Sequence, residues 1–174
     1  MKLVRWKRFT WELANLPPLE IQLPPPYIIR PAARDEAKPV SHVIFTALTL
    51  DSAWCDTIKR FHTRLATDLE LAFSRETAPA IVVMHGPRII AASVVSTEID
   101  ADSHLISGPC VLGEYCNRGL GSALLHHTLA LLRTAGLARA IGITKNNVPA
   151  CKFVYPKFGS TSIACDFAPQ LAAT

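Results

Sequence analysis

The sequence lacks any long uninterrupted apolar run, although 49% of its 174 residues are hydrophobic and only 18% are charged. Nowhere do about eighteen apolar residues follow one another, so we expect no membrane-spanning helix. Met1 is followed by charged residues rather than by an apolar segment with a small-residue cleavage site, which predicts no export signal. The excess of apolar over charged residues predicts one globular domain and excludes disorder along the whole chain.

The cysteines lack the spacing of a zinc site. There are five of them, an odd number, with no Cys-x-x-Cys pair and no Cys/His arrangement of the metal-binding type. We therefore expect no disulfide framework and no metal, and reduced thiols predict a cytoplasmic protein. His126 and His127 do not change this interpretation, because adjacent residues on a helix point about 100° apart.

Two common nucleotide-binding motifs are also missing. The sequence has no GxxxxGK[ST] and no GxGxxG followed about twenty residues later by an acidic residue, which argues against a P-loop and a dinucleotide-binding fold. Of the formal net charge of +4, +3 lies in the first thirty residues, where five basic residues face two acidic ones. No Lys/Arg run with interleaved aromatic residues occurs elsewhere, so we expect no nucleic-acid binding.

Residues 1–26 contain five prolines and two of the three tryptophans. Proline lacks a backbone donor and favours an extended path, so we expect an N-terminal arm that wraps the domain or a partner. Two interpretations of Trp6, Phe9 and Trp11 stay open. They form an amphipathic contact with a membrane or partner, or they fill grooves on this domain or on a dimer mate. Residues 27–174 are expected to form the domain itself.

The rest of the chain alternates strand and helix patterns in the order β, α, α, β, β, β, α, β, α, β. This order predicts an α/β fold, with a mixed sheet and helices on its faces. Helices are expected over about 35–48, 52–74, 120–135 and 149–155, from apolar residues at helical spacing. Strands are expected over about 27–30, 80–84, 89–96, 105–112, 138–144 and 162–167.

Four of the eight glycines lie within fourteen residues, where a strand ends and a helix begins. In Cys116-Asn117-Arg118-Gly119-Leu120-Gly121-Ser122, glycines remove side chains that would block the backbone. The first-turn N–H groups point outward at the positive end of the helix dipole, and Arg118 adds a charge-assisted contact. The pattern therefore predicts a diphosphate site, although glycines also serve tight turns and close helix packing.

The run from Val111 to Leu125 resembles motif A of the GCN5-related N-acetyltransferases, in which a strand ending V-x-P-E-Y leads into [R/Q]-x-x-G-x-[G/A] and a helix. Residues similar to that family's motif B follow: Asn147, Ala150, Phe153, Tyr155, Lys157 and Gly159. The resemblance spans about 27–167. It implies a single-domain acyl-CoA N-acyltransferase that moves an acetyl or other acyl group from acetyl-CoA or another acyl-CoA to a primary amine by direct attack, without a metal.

The resemblance also implies how the co-substrate binds. The strand around Val111 splays from the strand at 138–144, and its backbone pairs with the pantetheine arm. The diphosphate lies on the N–H groups of residues 117–122, and Asn147 holds the pantetheine side. The expected cofactor-binding residues are Cys110, Val111, Leu112, Cys116, Asn117, Arg118, Gly119, Leu120, Gly121, Ser122 and Asn147.

The expected catalytic residues are Tyr155 and Glu98. Tyr155 matches the motif B tyrosine and is expected to donate a proton to the departing CoA thiolate. The alternative is a packed aromatic residue with a bonded hydroxyl. The attacking ammonium must lose a proton to a nearby group, for which Glu98, Asp100 and His104 are the candidates, each of which is also a plausible solvated turn residue.

Three departures from the family pattern bear on activity. Cys116 stands where the family prefers Arg or Gln. Pro109 has no N–H near the point where a backbone donor usually polarises the acyl carbonyl, which leaves Cys110 or Val111 for that role. The third is one extra residue between Ala150 and Tyr155, followed by a proline.

Two other functions stay open beside the transferase. One is a non-catalytic acyl-CoA-binding or interaction module on the same fold, and the other is a partner-binding protein centred on the N-terminal arm. The acceptor is expected to be a small-molecule or peptide amine, and the acidic connector 98–102 hints that it is cationic. Homodimers are common in the family, and a homodimer is an open expectation here.

Overall fold

The computed structural model describes residues 5–20, 22–75 and 79–165, which form seven strands and four α-helices. The strands are β1 (Trp6–Glu12), β2 (Tyr27–Pro31), β3 (Ala80–His85), β4 (Arg88–Val94), β5 (Cys110–Val111), β6 (Arg139–Lys145) and β7 (Thr161–Cys165). The helices are α1 (Ala37–Leu50), α2 (Cys55–Phe73), α3 (Leu120–Thr134) and α4 (Pro149–Phe153). From β2 onward the order is the predicted one, and the α/β fold class is confirmed.

The larger sheet has the order β2-β3-β4-β5, with antiparallel neighbours. Its central strands β3 and β4 are almost entirely buried because helices cover both faces, which explains their continuous apolar sequences. Val40 and Ile44 of α1 pack on one face, and Leu120 and Leu124 of α3 pack on the other. The loop between β5 and α3 is therefore held at the edge of a rigid layer.

The smaller sheet has the order β6-β1-β7, again antiparallel. Its strand β1 lies within the segment that was expected to form an N-terminal arm. Strand β1 lies between β6 and β7 and pairs with both. Phe9, Trp11 and Leu13 alternate with polar residues and are at most 2% exposed, so period-2 burial explains the strand. The rings of Phe9 and Trp11 thus fill the core of their own domain, as one of the two interpretations held.

After β1 the chain makes a short 3-10 turn and then runs without helix or strand, in its described part, to Tyr27. The five prolines of residues 1–26 all lie in this part of the chain, where they lack the backbone donors that a helix or strand needs. The backbone carbonyl of Pro17 accepts a hydrogen bond from His126 on α3, at 2.8 Å. This contact ties the segment to the outside of the domain.

Strand β5 is shorter than the strand expected over 105–112. The chain bridges to Val95 at Leu105 and joins the regular ladder only at Cys110. Gly108 adopts a left-handed φ of 64° and Pro109 lacks a backbone donor, so the ladder is interrupted between these points. Strand β7 covers most of the strand expected over 162–167, of which 166 and 167 lie outside the described residues.

Candidate functional site

The cleft between β5 and β6 is closed at one end and open at the other. The backbone N–H groups of His104 and Leu105 donate to the carbonyl of Ile141, at 2.7 and 3.4 Å. Beyond this point the two strands belong to different sheets and are not paired, as the resemblance implied. The two sheets therefore form a V whose open end faces α3 and α4.

Backbone groups of both strands face this cleft. The Leu112 N–H donates to Ile90 of β4 at 3.0 Å, so alternation places the bonds of Cys110 and Leu112 toward β4 and those of Val111 toward the cleft. On β6, the same alternation turns Ile143 and Lys145 toward the cleft, because residue 146 bonds to β1. The cleft is thus lined by strand edges that an extended chain with amide groups can pair with.

His104 closes the narrow end and is fully engaged by backbone. Its Nδ1 accepts the N–H of Ile141 at 2.9 Å, so Nε2 carries the proton and donates to the carbonyl of Glu98 at 3.0 Å. The ring is 2% exposed. Because both nitrogens are occupied, His104 acts as a structural link between the connector and β6 rather than as a proton acceptor.

The loop between β5 and α3 is shaped for an anion. Asn117 and Gly119 have left-handed φ values of 61° and 79°, which turn the chain directly into α3 at Leu120. The first α3 bond runs from Ala123 N–H to Gly119, and in the described part of the chain no side chain caps this helix. The N–H groups of Leu120, Gly121 and Ser122 are therefore left for an external acceptor.

Two cations flank this helix N-terminus. Lys157 Nζ donates to Ser122 Oγ at 2.8 Å, and Arg118 donates to the Tyr27 hydroxyl at 2.6 Å and to the carbonyl of Glu114 at 3.1 Å. Both side chains keep further N–H donors free of these bonds. A cationic side chain beside the positive end of a helix dipole is electrostatically unfavourable unless an anion binds there.

Two of the predicted cofactor-binding residues lie at the edge of this arrangement. Cys116 is exposed, and its thiol makes only long contacts, of 3.8 and 3.7 Å, to the carbonyls of Val111 and Leu112. Burial raises the pKa of Cys116, so the helix N-terminus does not activate the thiol. Asn147 is an exposed turn residue between β6 and α4, near the open end of the cleft.

Tyr155 follows α4 and lies at the cleft, beside Gly108. The side chain is 4% exposed and packs against Phe9 and Trp11, with ring centroids 5.3 and 5.8 Å away. A Cβ built on Gly108 would overlap the Tyr155 hydroxyl, so only glycine allows this approach. Burial raises the pKa of Tyr155, so its phenol remains protonated and able to donate.

Glu98 lies apart from Tyr155, on the rim of a cavity of about 440 Å³ between α2 and the connector that joins β4 to β5. Its exposed carboxylate forms an ion pair with Arg75. Asp100 is exposed and does not line this cavity. The cavity also touches Ser107 and Ile143, on the two sides of the V, and so reaches the cleft from the face opposite α3.

Sequence reasoning missed most of this cavity. The apolar periodicity of α2 predicts a buried face that includes Phe61 and Leu65, whereas both line the cavity, together with Arg64 and Asp68. The helical periodicity of α2 is correct, but it does not distinguish a core from a cavity wall. The available signal in the sequence was that α2 carries aromatic residues on one face and paired charged residues on the adjacent face.

No helix in the described ranges is both long and apolar enough to cross a membrane. Within the same ranges, no group of three or more histidine, cysteine, aspartate or glutamate residues could hold a metal ion.

The comparisons with known proteins agree with this geometry. The model of the acetyltransferase (GNAT) family matches residues 44–159. No curated protein matches the sequence significantly.

Several solved structures share the fold. A Drosophila protein has a TM-score of 0.63, 12% identity and coverage of 92% of this chain and 49% of its own. A GCN5-related N-acetyltransferase from Sphaerobacter thermophilus has a TM-score of 0.62 and 12% identity, with coverage of 94% of this chain and 50% of its own. A GNAT-family acetyltransferase from Colwellia psychrerythraea has a TM-score of 0.61 and 14% identity, with coverage of 93% of this chain and 54% of its own. The chain spans about half the length of these structures. Because the family model covers most of the chain, the protein belongs to the GNAT acetyltransferase family.

Proposed function

We propose that the protein transfers an acetyl or other acyl group from acyl-CoA to a primary amine, by direct attack of the amine in a ternary complex. The observation that carries this proposal is the unpaired cleft between β5 and β6, which leads to the uncapped N-terminus of α3 and has the Tyr155 hydroxyl beside it. Acyl-CoA combines an amide-containing arm with a diphosphate, and both parts have matching groups along this path.

The residues present fit acyl-CoA. We assign the pantetheine amides to the cleft-facing backbone of Val111 and Ile143, with Asn147 near the open end. The diphosphate is assigned to the N–H groups of residues 117–122, with Lys157 and Arg118 beside them. When bound, acyl-CoA would supply an activated acyl group as a thioester.

Val111 and Tyr155 are assigned to the two ends of the carbon–sulfur bond that breaks, Val111 to the acyl carbonyl and Tyr155 to the sulfur. The Val111 N–H is the first cleft-facing backbone donor after Pro109, so it is suited to polarise the acyl carbonyl. The amine nitrogen forms a bond to the carbonyl carbon and the carbon–sulfur bond breaks, with the electron pair leaving on sulfur. Tyr155 donates its phenolic proton to that sulfur, while the attacking nitrogen loses one N–H proton to solvent as the amide forms, and solvent returns a proton to Tyr155.

The attacking ammonium first loses a proton on the cavity side. Glu98 and Asp68 both line the cavity, and we propose that these carboxylates receive the proton directly or through water. Burial raises the pKa of Asp68, which makes its carboxylate a better proton acceptor than an ordinary aspartate. Replacing either carboxylate by its amide, Glu98→Gln or Asp68→Asn, removes one of the two proton acceptors. The pH–rate profile of each variant is expected to move to higher pH, and the larger move identifies the main acceptor.

The first test is a thermal melt with acetyl-CoA, with free CoA and without ligand. A ligand at about 100 times its Kd stabilises a protein by about 2.7 kcal/mol, which raises the midpoint by several degrees at this chain length. A rise with both ligands, followed by thiol release in the presence of an amine, supports the transferase. A rise without thiol release from any amine favours the non-catalytic module. No rise at millimolar ligand rejects both.

Lys157→Met is expected to weaken CoA binding about tenfold, because a charge-assisted hydrogen bond contributes about 1.5–3 kcal/mol. Pantetheine, which has no phosphate, should bind both proteins equally. Calorimetric titration of the two ligands measures the difference. Lys152→Met, a change at an exposed lysine on α4, is the matched control and should leave both affinities unchanged. Equal CoA affinities for wild type and Lys157→Met would remove Lys157 from the diphosphate site.

Gly108→Ala is expected to lower turnover about tenfold and stability by about 1–2 kcal/mol. The stability loss comes from placing an L-residue at a φ of 64°, and the turnover loss comes from displacing the Tyr155 hydroxyl. Gly86→Ala is the control, because Gly86 has a similar φ of 58° but no described atom lies within 4 Å of an added Cβ. Both melting midpoints should fall, that of Gly108→Ala further because of the overlap with Tyr155, and a parallel loss of turnover in Gly86→Ala would contradict the role given to Gly108.

A further inference from the structure

The cavity on the α2 side has an aromatic end. The Trp6 ring lies 6.1 Å from the ring of Trp54 and 6.0 Å from that of Phe61, measured between centroids, with the second pair edge to face. All three rings line the cavity, as does Ile143 of β6. These walls favour a planar or branched apolar group over a hydrated polar one.

A buried cation lies beside Trp54, at Lys145, which does not itself line the cavity. The Nζ of Lys145 is 5.4 Å from the centre of the Trp54 ring and donates to the carbonyl of Ala53 at 2.5 Å and the hydroxyl of Thr57 at 2.8 Å. Both partners are neutral, and no carboxylate of the described residues lies within 4 Å of this ammonium. The unneutralised charge of Lys145, next to Trp54, disfavours a second ammonium against that ring, so the aromatic end suits a neutral group.

The opposite end of the cavity carries charges that nearly cancel. Its charged side chains are Arg64, Asp68, Arg75, Glu98 and Asp102, and three acids against two bases give a net charge of −1. Asp68 lies 3.8 Å from Arg64, Glu98 pairs with Arg75, and Asp102 has no ion pair among the described residues. This balance matches one ammonium and offers no further unpaired carboxylates to an acceptor with several.

We propose that the acceptor is a primary monoamine with an aromatic or branched aliphatic body, which lies against Trp6, Trp54 and Phe61 while the amine faces the connector. A cavity of about 440 Å³ lies within the range of about 300–1,000 Å³ that is usual for small-molecule sites. This assignment rests on the proposed transferase function. It excludes polyamines and aminoglycosides, which carry ammonium groups along their whole length.

The test compares 2-phenylethylamine, ethylamine and spermidine as acceptors, with thiol release from acetyl-CoA as the readout. Wild type is expected to show a kcat/KM at least tenfold higher for 2-phenylethylamine than for either of the others, since apolar contacts discriminate by about 10–200-fold. Phe61→Ala is expected to reduce the ratio of phenylethylamine to ethylamine at least tenfold. Thr63→Ala, at an exposed position two residues away on α2, is the control and should leave this ratio unchanged.

Binding is measured separately from turnover by tryptophan fluorescence, because two of the three tryptophans line the cavity. Titration of CoA-saturated protein with 2-phenylethylamine should change the emission of wild type at lower concentrations than that of Phe61→Ala. A preference for spermidine, equal kcat/KM values for the two monoamines, or an unchanged ratio in Phe61→Ala would overturn the assignment while the transferase function stands. Absence of thiol release with every amine would reject both.

Discussion

Deletion of residues 1–12 is expected to unfold the protein, although sequence reasoning assigned them to an arm outside the domain. The deletion removes the central strand of the smaller sheet and leaves β6 and β7, which pair with β1 and not with each other, without partners. It also removes Phe9 and Trp11 from a core that includes Leu125, Leu129 and Leu132 of α3. Circular dichroism and a thermal melt of the truncated chain should show no cooperative transition.

A single substitution within this strand makes the same point without truncation. Trp11 is fully buried, and its Nε1 donates to the carbonyl of Lys157 at 3.0 Å. Trp11→Ala should cost about 3–5 kcal/mol, a large part of the roughly 5–15 kcal/mol that stabilises a domain. Glu12→Ala, which breaks an exposed ion pair with Arg139, should cost no more than about 1 kcal/mol. Equal midpoints for these two variants, or a cooperative melt of the truncated chain, would contradict the structural role of β1.

The same strand supports Tyr155, the proposed general acid. Phe9 and Trp11 contact the Tyr155 ring, and Trp11 holds the backbone two residues beyond it. Truncation is therefore unable to separate a function of the N-terminal segment from CoA binding, because both depend on the same core. Point variants on the exposed side of the segment are needed to test partner binding there.

Local sequence signals predicted those helices and strands whose pattern lies within a short continuous stretch of the chain. The β3–β4 hairpin and helices α1, α2 and α3 follow from apolar periodicity and from the turn at Gly86. The strand β1 was missed because its partners lie about 130 to 160 residues further along the chain, and the prolines after it dominated the composition. Strand pairing is a non-local property, so no local pattern identifies the neighbours of Trp6–Glu12.

The candidate site likewise has parts that local sequence predicts and parts that it does not. The anion loop was predictable because Asn117, Gly119 and the first turn of α3 are contiguous, and Tyr155 was found through a motif. The cavity between α2 and the connector was not predictable, since its walls come from β1, α2, β6 and the connector. That the backbone of Val111 faces the cleft, whereas that of Cys110 bonds to β4, depends on the register with β4, which sequence alone leaves open.

Tyr155→Phe is expected to lower kcat by about 100-fold or more, because a positioned general acid contributes about 10²–10⁴ to the rate. The hydroxyl forms no hydrogen bond with any described residue, so its removal should leave the fold and CoA affinity intact. Tyr115→Phe is the control, since the Tyr115 hydroxyl bonds to His85 Nδ1 at 3.0 Å outside the cleft. Steady-state kinetics and melting midpoints of both variants measure the two effects.

The pH dependence gives this prediction a second, independent readout. Burial raises the pKa of Tyr155 in the folded state above the value of about 10 in an unfolded chain. Stability is therefore unaffected by this group below about pH 10 and is lost as the pH rises further, because only the unfolded state ionises there. Tyr155→Phe should remove that alkaline loss, whereas Tyr115→Phe should retain it. If Tyr155→Phe keeps kcat within twofold of wild type while the alkaline loss disappears, Tyr155 is a buried packing residue and the proton for the leaving thiolate comes from another donor.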